Sequence, residues 1–248
     1  MPGMHRFYVP QLRPRDGNIQ LTGPTYEQIR RVLRMRPGDH VAVFDGTGRE
    51  YHLTLAEFGK GEVYGRIVEQ YEVATEPRCQ VVMYLSLLNK SDKFEWALQK
   101  CTELGASHFV PVVAARSVTA SARSERWERI IQEAVEQSGR GILPTLSLPV
   151  PFQQAVRHAI EQTSTPSLVL LPEVTGERSL SKVLANTTSA PDTIALFIGP
   201  EGGFSPEEQE FAREQGVQVV KMGSRVLRAE TAAVAALTIV LERLGELQ

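Results

Sequence analysis

Residues Ile194 to Phe211 read "IALFIGPEGGFSPEEQEF". An apolar run of strand length stops at Gly199-Pro200, a glycine-rich stretch follows, and the chain then reopens as a helix. Ser205, Pro206 and Glu208 supply an N-cap hydroxyl, a proline at the first helical position and a capping-box glutamate. Gly199 to Gly203 is therefore a strand-to-helix loop, and its chemistry decides what kind of α/β protein this is. A P-loop needs GxxxxGK[ST] and a dinucleotide loop needs GxGxxG; the stretch has neither. Glu201, with no lysine or arginine beside it, repels a phosphate, whereas exposed backbone N–H and C=O groups still grip an uncharged purine or ribose. Two readings remain: a structural turn, or a pocket for a nucleoside without phosphates. S-adenosylmethionine is such a nucleoside, and its sulfonium and ammonium charges tolerate a nearby carboxylate.

On either side of this loop the chain alternates short β-branched runs with helical stretches. "QVVMYLSLL", "HFVPVV", "SLVLLP", "TIALFIG" and "VQVVKM" are the strands; "SDKFEWALQKCTELG" and "SERWERIIQEAVEQSGR" are among the helices. That rhythm predicts an α/β fold with a parallel sheet covered on both faces, spanning 79–248. Ligands of such sheets gather beyond the carboxyl ends of the strands. Three junctions stand out there: "LLPEVTGE", "IGPEGGFS" and "MGSRVLRAETA". Before residue 72 the pattern changes to strands in close succession, "HRFYVP", "GDHVAVFDG", "REYHLTLAEF" and "GEVYGRIVEQ". One helix interrupts them, "TYEQIRRVLRM", with Thr25 and Gln28 spaced as a capping box. A small β-barrel over 1–72 is predicted, and "YEVATEPR" is the linker.

Composition limits the function. The chain has 248 residues, 42% hydrophobic and 23% charged, which is the balance of an ordinary globular protein. Its longest apolar run, "AVAALTIVL", is far short of the roughly 20 residues that cross a bilayer, and the N-terminus has no apolar signal core. A cytoplasmic protein with no membrane contact is expected. Cys79 and Cys101 are too far apart for a CxxC motif, and the histidines at 5, 40, 52, 108 and 158 have no ligand spacing, so no metal is expected. The net charge of −2 hides an asymmetry: seven arginines against Asp16 and Glu27 give residues 1–36 a local +5 and leave −7 for the remainder. Basic residues interleaved with aromatics, as in "MHRFYVPQL", suit phosphate contact and base stacking. His5, Arg6, Arg13, Arg15, Arg30, Arg31 and Arg34 are the candidate RNA contacts.

"IGPEGGFSPEE" followed by "MGSRVLRAETAAVAAL" resembles the trefoil-knotted SPOUT methyltransferases, and specifically the bacterial small-subunit (16S) ribosomal RNA methyltransferases that modify uridine at ring nitrogen 3. "MHRFYV", "SDKFEWALQKCTELGASHFVPVVAARSV" and "WERIIQEAVEQSGRGILP" are similar to the same family, so the resemblance covers essentially the whole chain. It implies a PUA-like N-terminal barrel that helps bind RNA, a C-terminal knot whose three loops hold S-adenosylmethionine, and a homodimer. The knot rests on the resemblance alone, since general topology rules disfavour threading.

Carried over residue by residue, the resemblance puts Leu171, Pro172 and Glu173 in the first donor loop. Ile198, Gly199, Pro200, Glu201, Gly202 and Gly203 form the second; Met222, Gly223, Ser224, Val226 and Leu227 belong to the third. For the chemistry, uracil nitrogen 3 must lose a proton before or during methyl transfer, so the site has to favour a uracil anion. Arg228, directly after "MGSRVL", is the candidate cation. Glu230 either accepts the proton or orients Arg228, and Arg6 is a further candidate for holding the base. A structural Arg228–Glu230 ion pair at the head of the last helix is the alternative. Elsewhere, Phe94, Leu98 and Cys101 form a core stripe, as do Trp127, Ile130, Ile131 and Ala134. Lys90, Lys93 and Lys100 either reach RNA or solvate the helix. Gln137, Ser138 and Arg140 trail toward a partner subunit or substrate. Two rival functions stay open: methylation of another RNA such as transfer RNA by the same fold, which the sequence separates poorly, and a non-catalytic RNA- and nucleoside-binding assembly factor, against which "RVLRAETA" argues.

Overall fold

The computed structural model describes residues 4–117, 124–162, 167–187 and 190–247. They form two compact units. The first holds the described residues through Glu76 together with Val135–Leu143; the second holds those of Pro77–Ala134 and Pro144–Gln248.

In the first unit, β1 (His5–Tyr8), β2 (Asn18–Thr22), β3 (His40–Phe44), β4 (Arg49–Phe58) and β5 (Glu62–Glu72) make one sheet in the order β1-β3-β4-β5-β2. β1 runs parallel to β3 and the other pairs are antiparallel. Alternating residues of these strands, among them Phe7, Ile19, Leu21, Val41, Val43, Leu53 and Val63, close on Ile29 as one core. β2 is an element the sequence reading passed over. Its cue is Asp16-Gly17, a strong hairpin dipeptide. Both residues have positive φ, 48° and 74°, and Arg15 and Asn18 exchange two backbone hydrogen bonds of 2.9 Å across them.

The helix of this unit also departs from expectation. α1 (Gly23–Glu27) starts with Thr22 as N-cap and Pro24 in its first turn, then passes into a single π-helical turn, Gln28–Val32. Thr25 lies inside the helix and no Thr25–Gln28 capping box forms. Proline presets the helical φ, which favours the earlier start over the hydroxyl two residues on.

The second unit contains β6 (Gln80–Ser86), α2 (Ser91–Leu104), β7 (His108–Val113), α3 (Ser124–Ser138), β8 (Thr145–Leu146), β9 (Val150–Pro151), α4 (Phe152–Gln162) and β10 (Ser167–Pro172). It continues with β11 (Arg178–Ser179), α5 (Leu180–Ala185), β12 (Thr193–Ile198), α6 (Pro206–Glu214), β13 (Gln218–Lys221) and α7 (Ala229–Arg243). The last four residues of α3 are counted with the first unit. All strand pairs here are parallel, in the order β11-β13-β10-β12-β6-β7-β8, with β9 also on β7. Tyr84, Val110, Val169, Leu171, Ala195 and Phe197 pack with Phe152 and Val156 of α4 and Ala212 of α6. The alternate strand residues Met83, Leu85, Leu170, Ile194 and Leu196 are buried too, on the face where α2 and α5 pack on α7. Both faces of the sheet are therefore covered, as the β-branched runs predict.

Sheet order places β13 between β10 and β11, although residues 173–177 join those two directly. A strand that comes later in the chain is thus inserted beside a short connection made earlier. The fit is close. A Cβ on Gly176 would sit 2.3 Å from the carbonyl carbon of Val220 and 2.6 Å from the nitrogen of Lys221.

Candidate functional site

β12 ends at Ile198, paired with Leu85, and Gly199-Pro200 stops the ladder because proline offers no N–H. The chain turns with Gly203 N–H bonded to Pro200 O at 2.9 Å, and Gly203 takes φ +67°. Ser205 then caps α6 with the full reciprocal box: Ser205 Oγ accepts from Glu208 N–H and Glu208 Oε2 accepts from Ser205 N–H. Glu208 Oε1 also accepts Ala115 N–H at 2.8 Å, which ties the turn after β7 to the start of α6.

The loop after β10 is bound to this one. Glu173 Oε1 accepts the N–H of Phe204 at 2.9 Å, and Glu173 donates its own N–H to Val220 O at 2.7 Å. A single residue therefore ties the end of β10 to the loop after β12 through its side chain and to β13 through its backbone. The loop after β13 runs from Met222 to Leu227 with Gly223 at φ +134°, a conformation L side chains rarely adopt. Arg228 is the N-cap of α7, extended at φ −66° and ψ 152°, and no side-chain cap closes that helix start.

These three loops enclose a cleft of about 230 Å³. Pro172, Glu173, Ile198, Gly199, Pro200, Glu201, Gly202, Gly203, Met222, Gly223, Val226 and Leu227 all line it, with Val174, Arg225, Ala229 and Ala232 added. Two expected members are placed elsewhere. Leu171 is fully buried in the core facing α4 and α6, because alternation along β10 turns it away from the cleft, and Ser224 is exposed outside it. Glu201 is held by Asn89 N–H, 3.2 and 3.3 Å from its two oxygens, and Arg116 Nη1 donates to Gly202 O at 2.6 Å.

Arg228 stands between Leu227 and Ala229, both cleft residues, with its side chain exposed and without a hydrogen bond or ion pair among the described residues. The alternative of an Arg228–Glu230 ion pair is not what forms. Glu230 turns to α2, where Oε1 lies 3.8 Å from Lys93 Nζ and Oε2 is buried without a partner. Lys93 is thereby accounted for, as is Lys100 by Glu103 at 2.7 Å.

In the first unit the candidate RNA contacts separate into two groups. His5, Arg13, Arg15, Arg30, Arg31 and Arg34 are exposed; Arg31 pairs with Glu27 at 2.7 Å and Arg30 lies over the Phe58 ring. Arg6 must be corrected. Its Nε and Nη2 donate to Glu50 Oε2 at 2.8 and 2.6 Å, and its remaining N–H groups reach the carbonyls of Val135, Glu136 and Arg140. All five donors are engaged, so Arg6 holds this unit together and has nothing left for a base. Burial alone would raise the Glu50 carboxyl, but hydrogen bonds from Tyr71 and Arg6, with the charge of Arg6, hold it below the ordinary range. Tyr71, partly desolvated and bonded to Glu50, is pushed up to about 12. Arg140 likewise belongs to the interior, buried and paired with Glu76 through Nε at 3.0 Å, rather than trailing toward a partner. Sequence reading also missed Gly176, which sits in the quoted "LLPEVTGE" but touches β13, 44 positions later in the chain.

The family described as "RNA methyltransferase domain" matches residues 75–241, and "RNA methyltransferase PUA domain" matches 21–68. Ribosomal RNA small subunit methyltransferase E of Bacillus subtilis (strain 168) is 35% identical over 230 residues, covering 90% of this chain and 89% of its own length. The protein of that name from Synechocystis is 33% identical over 225 residues, 90% and 72% of the two chains. Among solved structures, a ribosomal RNA small subunit methyltransferase E from Neisseria gonorrhoeae bound to S-adenosyl methionine superposes with a TM-score of 0.86 at 28% identity, over 96% of this chain and 97% of that one. A putative methyltransferase from Legionella pneumophila in complex with the same cofactor gives 0.84 at 28%, over 96% and 97%.

Proposed function

The chain belongs to the ribosomal RNA small subunit methyltransferase E family, and on that premise we propose that it transfers the methyl group of S-adenosylmethionine to ring nitrogen 3 of a uridine in small-subunit ribosomal RNA. The observation that carries the reading is the cleft, where three strand-end loops meet and two acidic residues, Glu173 and Glu201, are in the lining. Nucleoside mass spectrometry of ribosomal RNA from a strain lacking the protein tests it. One methyluridine is expected to disappear and to return with the gene; an unchanged nucleoside profile sinks the reading.

The donor sits against the loops after β10, β12 and β13. The glycines leave backbone polar groups open to the adenosine, and Gly223, at φ +134°, holds a backbone conformation that L side chains rarely adopt. Gly223→Val has to force a β-branched residue to positive φ, and calorimetric titration with S-adenosylmethionine is expected to lose at least tenfold in affinity. No Cβ contact lies within 4 Å of Gly223, so the loss reports backbone conformation rather than a clash.

Arg228 is the cation that stabilises the uracil anion, while the methyl group of the donor is the electrophile. Its guanidinium is charged at every working pH and presents several donors to the carbonyl oxygens that flank nitrogen 3. Glu230, with one buried oxygen lacking a partner, is the residue for the departing proton. The exposed arginines of the first unit, Arg13, Arg15, Arg30, Arg31 and Arg34, meet RNA phosphates, and neutralising them sets the salt dependence of binding. Domain limits of 1–72 and 79–248, a homodimer and a cytoplasmic location belong to the same proposal. So does a trefoil knot, for which the insertion of β13 between β10 and β11 speaks. No helix among the described residues is long and apolar enough to cross a membrane.

A further inference from the structure

The donor and the product of this reaction differ by one methyl group and one charge. When the methyl leaves, the electron pair of the C–S bond returns to sulfur, and a sulfonium cation becomes a neutral thioether. An enzyme that holds both equally is inhibited by its own product.

Two carboxylates line the donor cleft from neighbouring loops, and each is fixed by a backbone amide rather than by a cation. Glu173 accepts Phe204 N–H at 2.9 Å, and Glu201 accepts Asn89 N–H at 3.2 Å. Neither has a lysine or arginine within salt-bridge distance among the described residues. Two guanidinium groups are nearby: Arg225 on the cleft wall, and Arg116, whose Nη1 donates to the carbonyl of Gly202. The carboxylates keep their charge at the cleft lining because an amide N–H orients without neutralising. Gly203 gives Glu173 the room to do so, since a Cβ there would lie 2.9 Å from Glu173 Oε1.

We infer that Glu173 and Glu201 set the preference of the cleft for the cationic donor over its neutral product, so that methyl transfer itself weakens the hold on what remains. The inference rests on the donor reading above. A unit charge acting across a half-solvated cleft changes the affinity for a cation by about three- to tenfold, and leaves a neutral ligand of the same shape nearly untouched. Glutamine keeps the accepting oxygen for each amide and removes only the charge.

Calorimetry on the full chain decides it, with S-adenosylmethionine, S-adenosylhomocysteine and sinefungin, which carries an ammonium in place of the sulfonium centre. The wild type is expected to bind the two cations more tightly than the thioether. Glu173→Gln and Glu201→Gln, tested separately, are each expected to lower that ratio by about three- to tenfold, chiefly through weaker binding of the cations. Ratios equal to the wild type in both variants, with all three ligands still bound, overturn the inference and leave the donor site standing. If the wild type binds none of the three, the donor reading itself falls, and this inference with it.

Discussion

Arg228→Ala is expected to retain S-adenosylmethionine binding while losing on the order of 10²–10³ in turnover, the effect of removing one preorganised donor aimed at developing negative charge. The structure separates the two properties. Arg228 is not a wall of the donor cleft, whereas Leu227 and Ala229 on either side of it are. It also contributes nothing as a cap, since no side-chain hydrogen bond closes the start of α7. Serine, threonine, aspartate or asparagine at that position would stabilise the helix by about 1 kcal/mol. An arginine there serves something other than the helix. Raising the pH is expected to restore part of the lost rate, because more of the uracil is then deprotonated without help; the arginine titrates too high to produce that recovery itself. Single-turnover rates over a pH series, beside calorimetry for the donor, check the result. An Arg228→Ala protein that unfolds or no longer binds the donor makes the arginine structural.

The largest effect on stability is expected at Gly176. Alanine there places its Cβ 2.3 Å from backbone of β13, and backbone cannot rotate aside as a long side chain can. Overpacking of well-filled sites costs about 1–3 kcal/mol, and a main-chain collision belongs at or above the upper limit. For a chain of this size that lowers the midpoint of thermal unfolding by roughly 6–12 °C. Because Glu173, three residues earlier, ties this loop to the loop after β12 and to β13, donor affinity is expected to fall with it. Calorimetric melts with and without S-adenosylmethionine measure both; a Gly176→Ala melt within 1–2 °C of wild type rules the packing argument out.

What was legible in the sequence was local. The cap of α6 needs only Ser205, Pro206 and Glu208, so it is readable from three letters, and the ends of β10, β12 and β13 are marked by the glycine and proline that stop them. Strand β2 was legible as well, through Asp16-Gly17, but its run "NIQLT" is too polar to be noticed without that turn. The role of Arg6 was not. Its partners lie 44 to 134 positions away, and an arginine beside aromatics looks the same whether it meets a phosphate or a buried carboxylate. Arg228 and Glu230 illustrate the converse: two opposite charges two positions apart at a helix start suggest a pair, but successive helical positions point about 100° apart, and Glu230 finds Lys93 instead.

The return of residues 135–143 to the first unit has a consequence for how the chain is made. The carbonyls of Val135, Glu136 and Arg140 complete the shell around Arg6, and Arg140 itself closes on Glu76. When Glu76 leaves a ribosome, those groups have not yet been synthesised, and the Arg6–Glu50 pair has no carbonyls to finish it. Sixty-seven more residues, 77 to 143, must follow. At about 5–20 residues per second that is a wait of roughly 3–13 s. The N-terminal unit is the first to be translated, yet it is complete only at residue 143, and its last pieces arrive after β6, α2 and β7 of the second unit are already outside.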